Sequence, residues 1–191
     1  MSQPYRRACA PVWTGLVLVV AGALAASPAG AQAVSTGALD GASVVPPNPS
    51  AGTGTAEVTI DEDQLTVDLS FSGLGANSVG SHIHCCTAAG SNVGVAILFP
   101  SFPVGVTSGT YAQNFDLASA ATYLAAFVNA NGGSAAGAKA ALLAGIARGH
   151  AYTCVHTITF GGGEIRSQLA FDSFADGFES FDILDWSASV P

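Results

Sequence analysis

The chain has 191 residues, 13 Asp and Glu against five Lys and Arg, and a formal net charge of −8. An acidic surface of this kind repels phosphate backbones and anionic lipid, which argues against a nucleic-acid partner and against electrostatic adhesion to a membrane. The length is enough for one domain with a hydrophobic core that does not depend on disulfides.

Residues 1–33 read as a secretory signal peptide. Arg6 and Arg7 supply the positive start, and Val12 to Ala26 is an apolar run broken by Ser27-Pro28. Both Ala29-Gly30-Ala31 and Ala31-Gln32-Ala33 fit a small-x-small cleavage site. The run is shorter than the roughly 20 residues a membrane span needs, so cleavage is expected rather than anchoring. The expected location is secreted, periplasmic or cell-surface, an oxidising environment, with no transmembrane span after cleavage.

Leu39-Asp40-Gly41 leads into Val44-Val45-Pro46-Pro47-Asn48-Pro49, which predicts an edge strand running into an extended loop, because proline cannot join a central ladder. Residues 51–60 read as a strand, and Asp61-Glu62-Asp63 as a turn. Leu65, Val67, Leu69 and Phe71 then alternate with Thr66, Asp68, Ser70 and Ser72, the clearest half-buried strand in the chain. A strand through His82 follows, then apolar residues 93–99, a Pro100–Pro103 loop, and strand character over 109–117. Turn signals about every ten residues are the signature of an all-β sandwich or barrel.

The period then changes. Residues 118–128 and 135–148 are Ala- and Leu-rich with helical spacing. Ser134 is placed to cap the second helix, and Gly149 to end it. A two-helix insertion over about 118–148 is expected. Residues 151–159 return to strand character. Gly161-Gly162-Gly163 turns the chain into a last strand over 164–171, although Ser167 interrupts its alternation. The three glycines precede no helix and no Lys-Ser/Thr pair, so they are not read as a phosphate loop. Residues 172–191 are aromatic and acidic without a period and read as an appended tail.

Ligand-type residues concentrate in Gly80-Ser81-His82-Ile83-His84-Cys85-Cys86 and in Tyr152-Thr153-Cys154-Val155-His156-Thr157. On strands, period-2 alternation puts His82, His84 and Cys86 on one face, and Tyr152, Cys154 and His156 on one face of the other. Three cysteines follow the signal: Cys85, Cys86 and Cys154. In an oxidising compartment Cys86–Cys154 is the expected cross-strand disulfide, although the same geometry would allow a metal thiolate. Neutral imidazoles from His82, His84 and His156 suit copper or zinc, with an open fourth position. The structural alternative is that these rings only hydrogen-bond across the sheet. His150 reads as a helix-end residue, and Glu164 with Arg166 as a surface ion pair or cross-strand pair. Ser81 beside His82 is no triad, since no acid is placed to orient the base.

These motifs resemble the CHRD domain, the module named after chordin and found in many bacterial secreted proteins. The resemblance covers about residues 36–171. It runs through Val44-Val45-Pro46-Pro47, Gly52-Thr53-Gly54-Thr55-Ala56, Leu69-Ser70-Phe71-Ser72-Gly73-Leu74, His82-Ile83-His84, Val155-His156-Thr157, Gly162-Gly163-Glu164-Ile165-Arg166 and Gln168-Leu169. Where the family usually has Gly-Pro after the second histidine, this chain has Cys85-Cys86-Thr87, as in a bacterial subset that also carries a helical insertion. The resemblance implies an antiparallel immunoglobulin-like or superoxide-dismutase-like β-sandwich and no settled activity.

A more distant similarity is to copper/zinc superoxide dismutase. It would give His82, His84 and His156 the role of copper ligands and Arg166 that of an anion contact near the metal. The histidine that bridges the two metals and the zinc loop have no counterpart here. The tail resembles a C-terminal segment of certain bacterial secreted proteins through Asp176-Gly177-Phe178-Glu179-Ser180, Asp182 and Trp186, which implies a sorting or processing role. The expectation is therefore a non-enzymatic extracellular binding or structural module, with a three-histidine site for copper or zinc and an extracellular protein or surface component as partner. A copper-dependent redox enzyme and a surface or matrix adhesion component are the alternatives.

Overall fold

A computed structural model of the chain describes residues 32–172. The expected tail lies outside these residues apart from Asp172. So does the expected signal peptide apart from Gln32 and Ala33, and Ala33 already opens the first strand.

Eight strands form one antiparallel sheet: β1 (Ala33–Asp40), β2 (Thr53–Asp61), β3 (Gln64–Ser72), β4 (Ser78–Cys85), β5 (Val95–Leu98), β6 (Gly109–Asp116), β7 (Ala151–Thr157) and β8 (Ile165–Leu169). Their order across the sheet is β5-β4-β7-β8-β1-β2-β3-β6. The sheet curls so that its β4-β7-β8 part and its β2-β3-β6 part line a single apolar core, the expected sandwich. Val58, Leu65, Val67 and Leu69 come from one side, and Ile83, Val155, Ile165 and Leu169 from the other.

The seam is β1 against β8, where Asp40 pairs with Arg166. Gly37 is bare at this seam because a Cβ there would overlap the Ser167 hydroxyl. Ser167, which breaks the apolar alternation of β8, is thus a small inward residue that the approach of β1 requires. The expectation of an edge strand near Leu39 is corrected here. β1 ends at Asp40, before the prolines, and is an interior strand fully paired with β2. The prolines lie in the loop 41–52 that follows it.

Between β6 and β7 lie a 3-10 turn (Ala120–Thr122), α1 (Ala125–Ala130) and α2 (Ala135–Ala147), the expected two-helix insertion. The first helix is shorter than its composition predicts. Leu124 stays extended because its N–H donates to the Ala96 carbonyl of β5, so the insertion covers part of an exposed sheet edge. Ser134 caps α2 as expected, accepting from Gly137 N–H. Leu142 and Ile146 are fully buried and belong to the core.

The two sides of the sandwich differ on their outer faces. β2 and β3 alternate buried and exposed, as strands wetted on one side do. Every residue of β7 is buried, because its outer face is covered as well. Two loops lie over that face: 41–52, where Asn48 Nδ2 donates to the carbonyls of Gly163 and Glu164, and 86–94, whose Asn92 Nδ2 donates to Val45 O at 2.7 Å.

Glu164, wholly buried, fastens this arrangement. Oε1 accepts from Ser50 Oγ at 2.6 Å and from Gly75 N–H at 2.5 Å, and Oε2 from Thr157 Oγ at 2.7 Å. Burial alone would raise its pKa. Hydrogen bonds from Ser50, Thr157, Gly75 and Ala76 outweigh it and hold the carboxyl below its ordinary value. The expected surface pair with Arg166 is corrected: both residues are buried and each has its own partners.

Glu164→Gln puts an amide NH₂ where a second acceptor oxygen is needed. It should lower stability at pH 7 by about 1–3 kcal/mol in urea unfolding. Because the folded pKa is depressed, the charge contributes stability above the ordinary value of 4.5 and loses it as pH falls through the folded value. The gap between the two proteins should therefore narrow on acidification below about pH 4.5. An equal gap at pH 3 and pH 7 would show that the charge is not what the site uses.

Candidate metal centre

The outer face of β4 and β7 carries the histidines. Alternation sends Ile83 and Val155 inward to the core and leaves His82, His84, Tyr152, Cys154 and His156 on the other face. The register sets His84 across from Tyr152, His82 across from Cys154, and Gly80 across from His156. The rings gather on this face: centroids are 4.9 Å apart for His82–His156, 5.6 Å for His82–His84 and 5.7 Å for His84–His156. One ring nitrogen from each lies within 4.8 Å of those of the other two.

Backbone carbonyls fix two of the rings. His84 Nδ1 is 2.9 Å from Val93 O and His156 Nδ1 is 3.0 Å from Gly161 O. A carbonyl only accepts, so each Nδ1 carries the proton, and in the neutral ring Nε2 keeps its lone pair. Both Nε2 atoms are buried without a hydrogen-bond partner, as is His82 Nδ1. A buried nitrogen with no partner costs free energy. Here three of them belong to one cluster.

Electrostatics keeps the rings neutral. Burial, then His156 and His84, push the His82 pKa down to about 4. Burial lowers His84 against the Val93 hydrogen bond that raises it, with His156 and Arg166 adding to the lowering. Burial lowers His156, opposed by Gly161. At neutral pH the cluster therefore offers uncharged imidazoles that need not lose a proton to bind a cation.

The donor set fits a borderline transition ion. An ion about 2.0–2.1 Å from each nitrogen would set them about 3.3–3.6 Å apart, so binding would draw the rings closer together. His82 is only partly buried, so the cluster has one side toward solvent.

Tyr152 and Arg166 support His84. The Tyr152 ring stacks on His84 at 4.6 Å with a 6° interplanar angle, and the Arg166 guanidinium carbon lies 3.5 Å over the Tyr152 ring on the stack. Tyr152 Oη also donates to Val93 O, the carbonyl that orients His84. Arg166 is 2% exposed and donates to Ser91 O, Asn92 Oδ1 and Gln168 Oε1. It is committed to holding the loop over the site, which is a different role from the expected anion contact.

The expected Cys86–Cys154 disulfide is not formed. The ladder puts His82 across from Cys154, and Cys86 lies beyond the end of β4. Cys86 instead pairs with its neighbour Cys85. Cys154 is a free, buried thiol, its pKa raised to about 12 by burial against the opposing effect of Arg166. Its sulfur fills the space beside Gly163, where any Cβ would overlap it.

Lowered histidine pKa values make the metal-free protein acid-sensitive. Below the unfolded value of 6.5 the unfolded chain takes up protons that the folded rings refuse, so folded stability falls with pH down to about 4 for His82. With chelator present, the melting temperature should drop between pH 7.5 and pH 5, and it should drop less in His82→Asn. An equal drop in both proteins would remove His82 from the cause.

The CHRD domain profile matches residues 35–169, which include all of β2 to β8 and the three histidines. No curated protein and no solved structure matches the chain. With well over half its length in that match, the chain belongs to the CHRD domain family.

Proposed function

We propose that the chain is a secreted binding module whose CHRD domain takes a single transition-metal ion, copper or zinc, through His82, His84 and His156. The observation that carries this reading is the set of buried nitrogens without partners: His82 Nδ1, His84 Nε2 and His156 Nε2, in a cluster that burial keeps uncharged. Rings that only tied the sheet together would spend these nitrogens on neighbouring groups. Two of the three Nδ1 atoms are instead held by carbonyls, the usual way a ligand ring is oriented from behind. Neutral imidazole suits zinc and copper better than magnesium or calcium.

A copper-dependent redox enzyme is the second reading. It would draw on Arg166 to meet an anionic substrate, and that side chain is buried and committed to neutral acceptors. The binding reading is therefore preferred. The tail would serve sorting or attachment at the cell surface, and the partner would be an extracellular protein or surface component.

The test uses protein made without a histidine tag. Zinc or copper at about 100 times its Kd should stabilise the fold by about 2.7 kcal/mol. For a domain of this size that raises the melting temperature by roughly 5–11 °C. His82→Ala combined with His156→Ala should abolish the shift and leave no metal in the purified protein by elemental analysis. If the wild-type protein gives no shift with either ion and is isolated without metal, the reading fails.

A further inference from the structure

The Cys85–Cys86 bridge is not used by the metal reading, yet it stands next to His84 and at the root of the loop that covers the site. Cys85 is 3% exposed and lies in the core, while Cys86 is exposed. α2 packs directly on the pair. A Cβ at Gly145 would overlap both sulfurs, and the Ala141 carbonyl lies 3.3 Å from Cys86 Sγ and 4.0 Å from Cys85 Sγ. Gly145 is itself buried between core residues Leu142 and Ile146, so the helix backbone forms a wall. Bonded sulfurs stand about 2.05 Å apart. Two separate thiols need a non-bonded spacing of about 3.5–4.0 Å. The wall leaves no room for that separation on the helix side, so the exposed Cys86 must swing outward.

Cys86 begins the loop 86–94. That loop supplies Val93 O to His84 and to Tyr152, and Ser91 O and Asn92 Oδ1 to Arg166. Its near end is tied by Thr87 N–H to His150 O, and its far end by Cys85 N–H to Gly94 O. Moving Cys86 therefore pulls on the groups that orient His84.

We propose that the Cys85–Cys86 disulfide is a thiol-responsive latch on the histidine cluster, closed when oxidised and loosened when reduced, so that reduction weakens metal binding. The coupling to metal rests on the binding reading above. A small thiol or a protein dithiol is the reductant. Its thiolate attacks the exposed Cys86 sulfur, the S–S bond breaks, and Cys85 leaves as a thiolate and takes up a proton. A second thiolate of the reductant then attacks the mixed disulfide and releases Cys86, which is protonated in turn. The protein gains two electrons and two protons, and the reductant ends as its own disulfide. Cys154 is already a thiol and takes no part.

The test compares the full chain as purified with the same protein reduced by dithiothreitol and freed of reductant under argon. The thiol count is confirmed by the mass added on alkylation. Hydrogen exchange should quicken over residues 86–94 and 135–147 on reduction, and stay unchanged in β2 and β3. Zinc affinity by calorimetry should fall about tenfold or more, the effect expected when groups orienting a ligand are disturbed. The double variant Cys85→Ser, Cys86→Ser should behave like the reduced protein, and it has no thiolates there to take up zinc. Full reduction with unchanged exchange overturns the latch. Quickened exchange with equal zinc affinity in all forms overturns its coupling to the site. Failure of every form to bind zinc or copper overturns the metal reading and the coupling together, while the exchange result still decides the latch.

Discussion

A buried guanidinium organises the outer face of β7 and β8. Taking a charge out of water is costly unless its donors are satisfied. Arg166 makes no ion pair among the described residues. It gives its protons to two oxygens of the loop 86–94 and to Gln168, and lies on the Tyr152 ring. Arginine suits this place because its planar fork can stack and donate at once, which a lysine ammonium cannot do. The consequences follow in order. The loop is drawn over the sheet, Val93 O comes within reach of His84, and Asn92 reaches across to the loop 41–52. The histidines are then buried enough to stay neutral. Without that cover the same rings would be ordinary surface imidazoles on a wet sheet, like the exposed face of β2 and β3.

Much of the fold was legible from period alone. Leu65, Val67, Leu69 and Phe71 alternate because the outer face of β3 is wet, and all four are buried as the alternation predicts. The change to helical spacing after residue 117 marks the insertion, since a strand pattern and a helix pattern bury different residues. The interior position of β1 was not legible. Its nearest punctuation is the proline cluster, which belongs to the loop after it, and the strand residues before Leu39 carry mostly small side chains. Small residues are needed there because β8 approaches closely at Gly37 and Ser167, a demand that arises between strands far apart in sequence.

The site divides along the same line. The three histidines were legible because His-x-His and a second histidine strand share a face by alternation, whatever the partner strand. Their supports were not. Val93 and Gly161 act through backbone carbonyls, which any residue would provide. Tyr152 stands on the predicted face, but its stacking on His84 depends on register. Register also defeats the disulfide expectation: alternation says which residues share a face, and it does not say how far along the strand each one lies. Cys86 and Cys154 would belong to the same face and still miss each other by the distance from His82 to the strand end.

That offset has a structural use. Were Cys154 bridged to Cys86, its sulfur would be drawn from beside Gly163, and the turn that carries Gly161 O to His156 would lose its packing. With Cys154 a plain buried thiol, that turn packs on an unbonded sulfur, and the disulfide sits at the opposite end of the site, under α2. The cluster is thereby supported from two ends of unlike chemistry. At His156 the support is a glycine turn, with Glu164 next to it fastening Ser50, Gly75 and Thr157. At His84 it is a loop whose first residue is covalently tied to its neighbour beneath a helix. α2 packs on Cys85 and Cys86, the residues next to His84, which gives the insertion a route to the histidines that β2, β3 and β6, on the far side of the core, do not have.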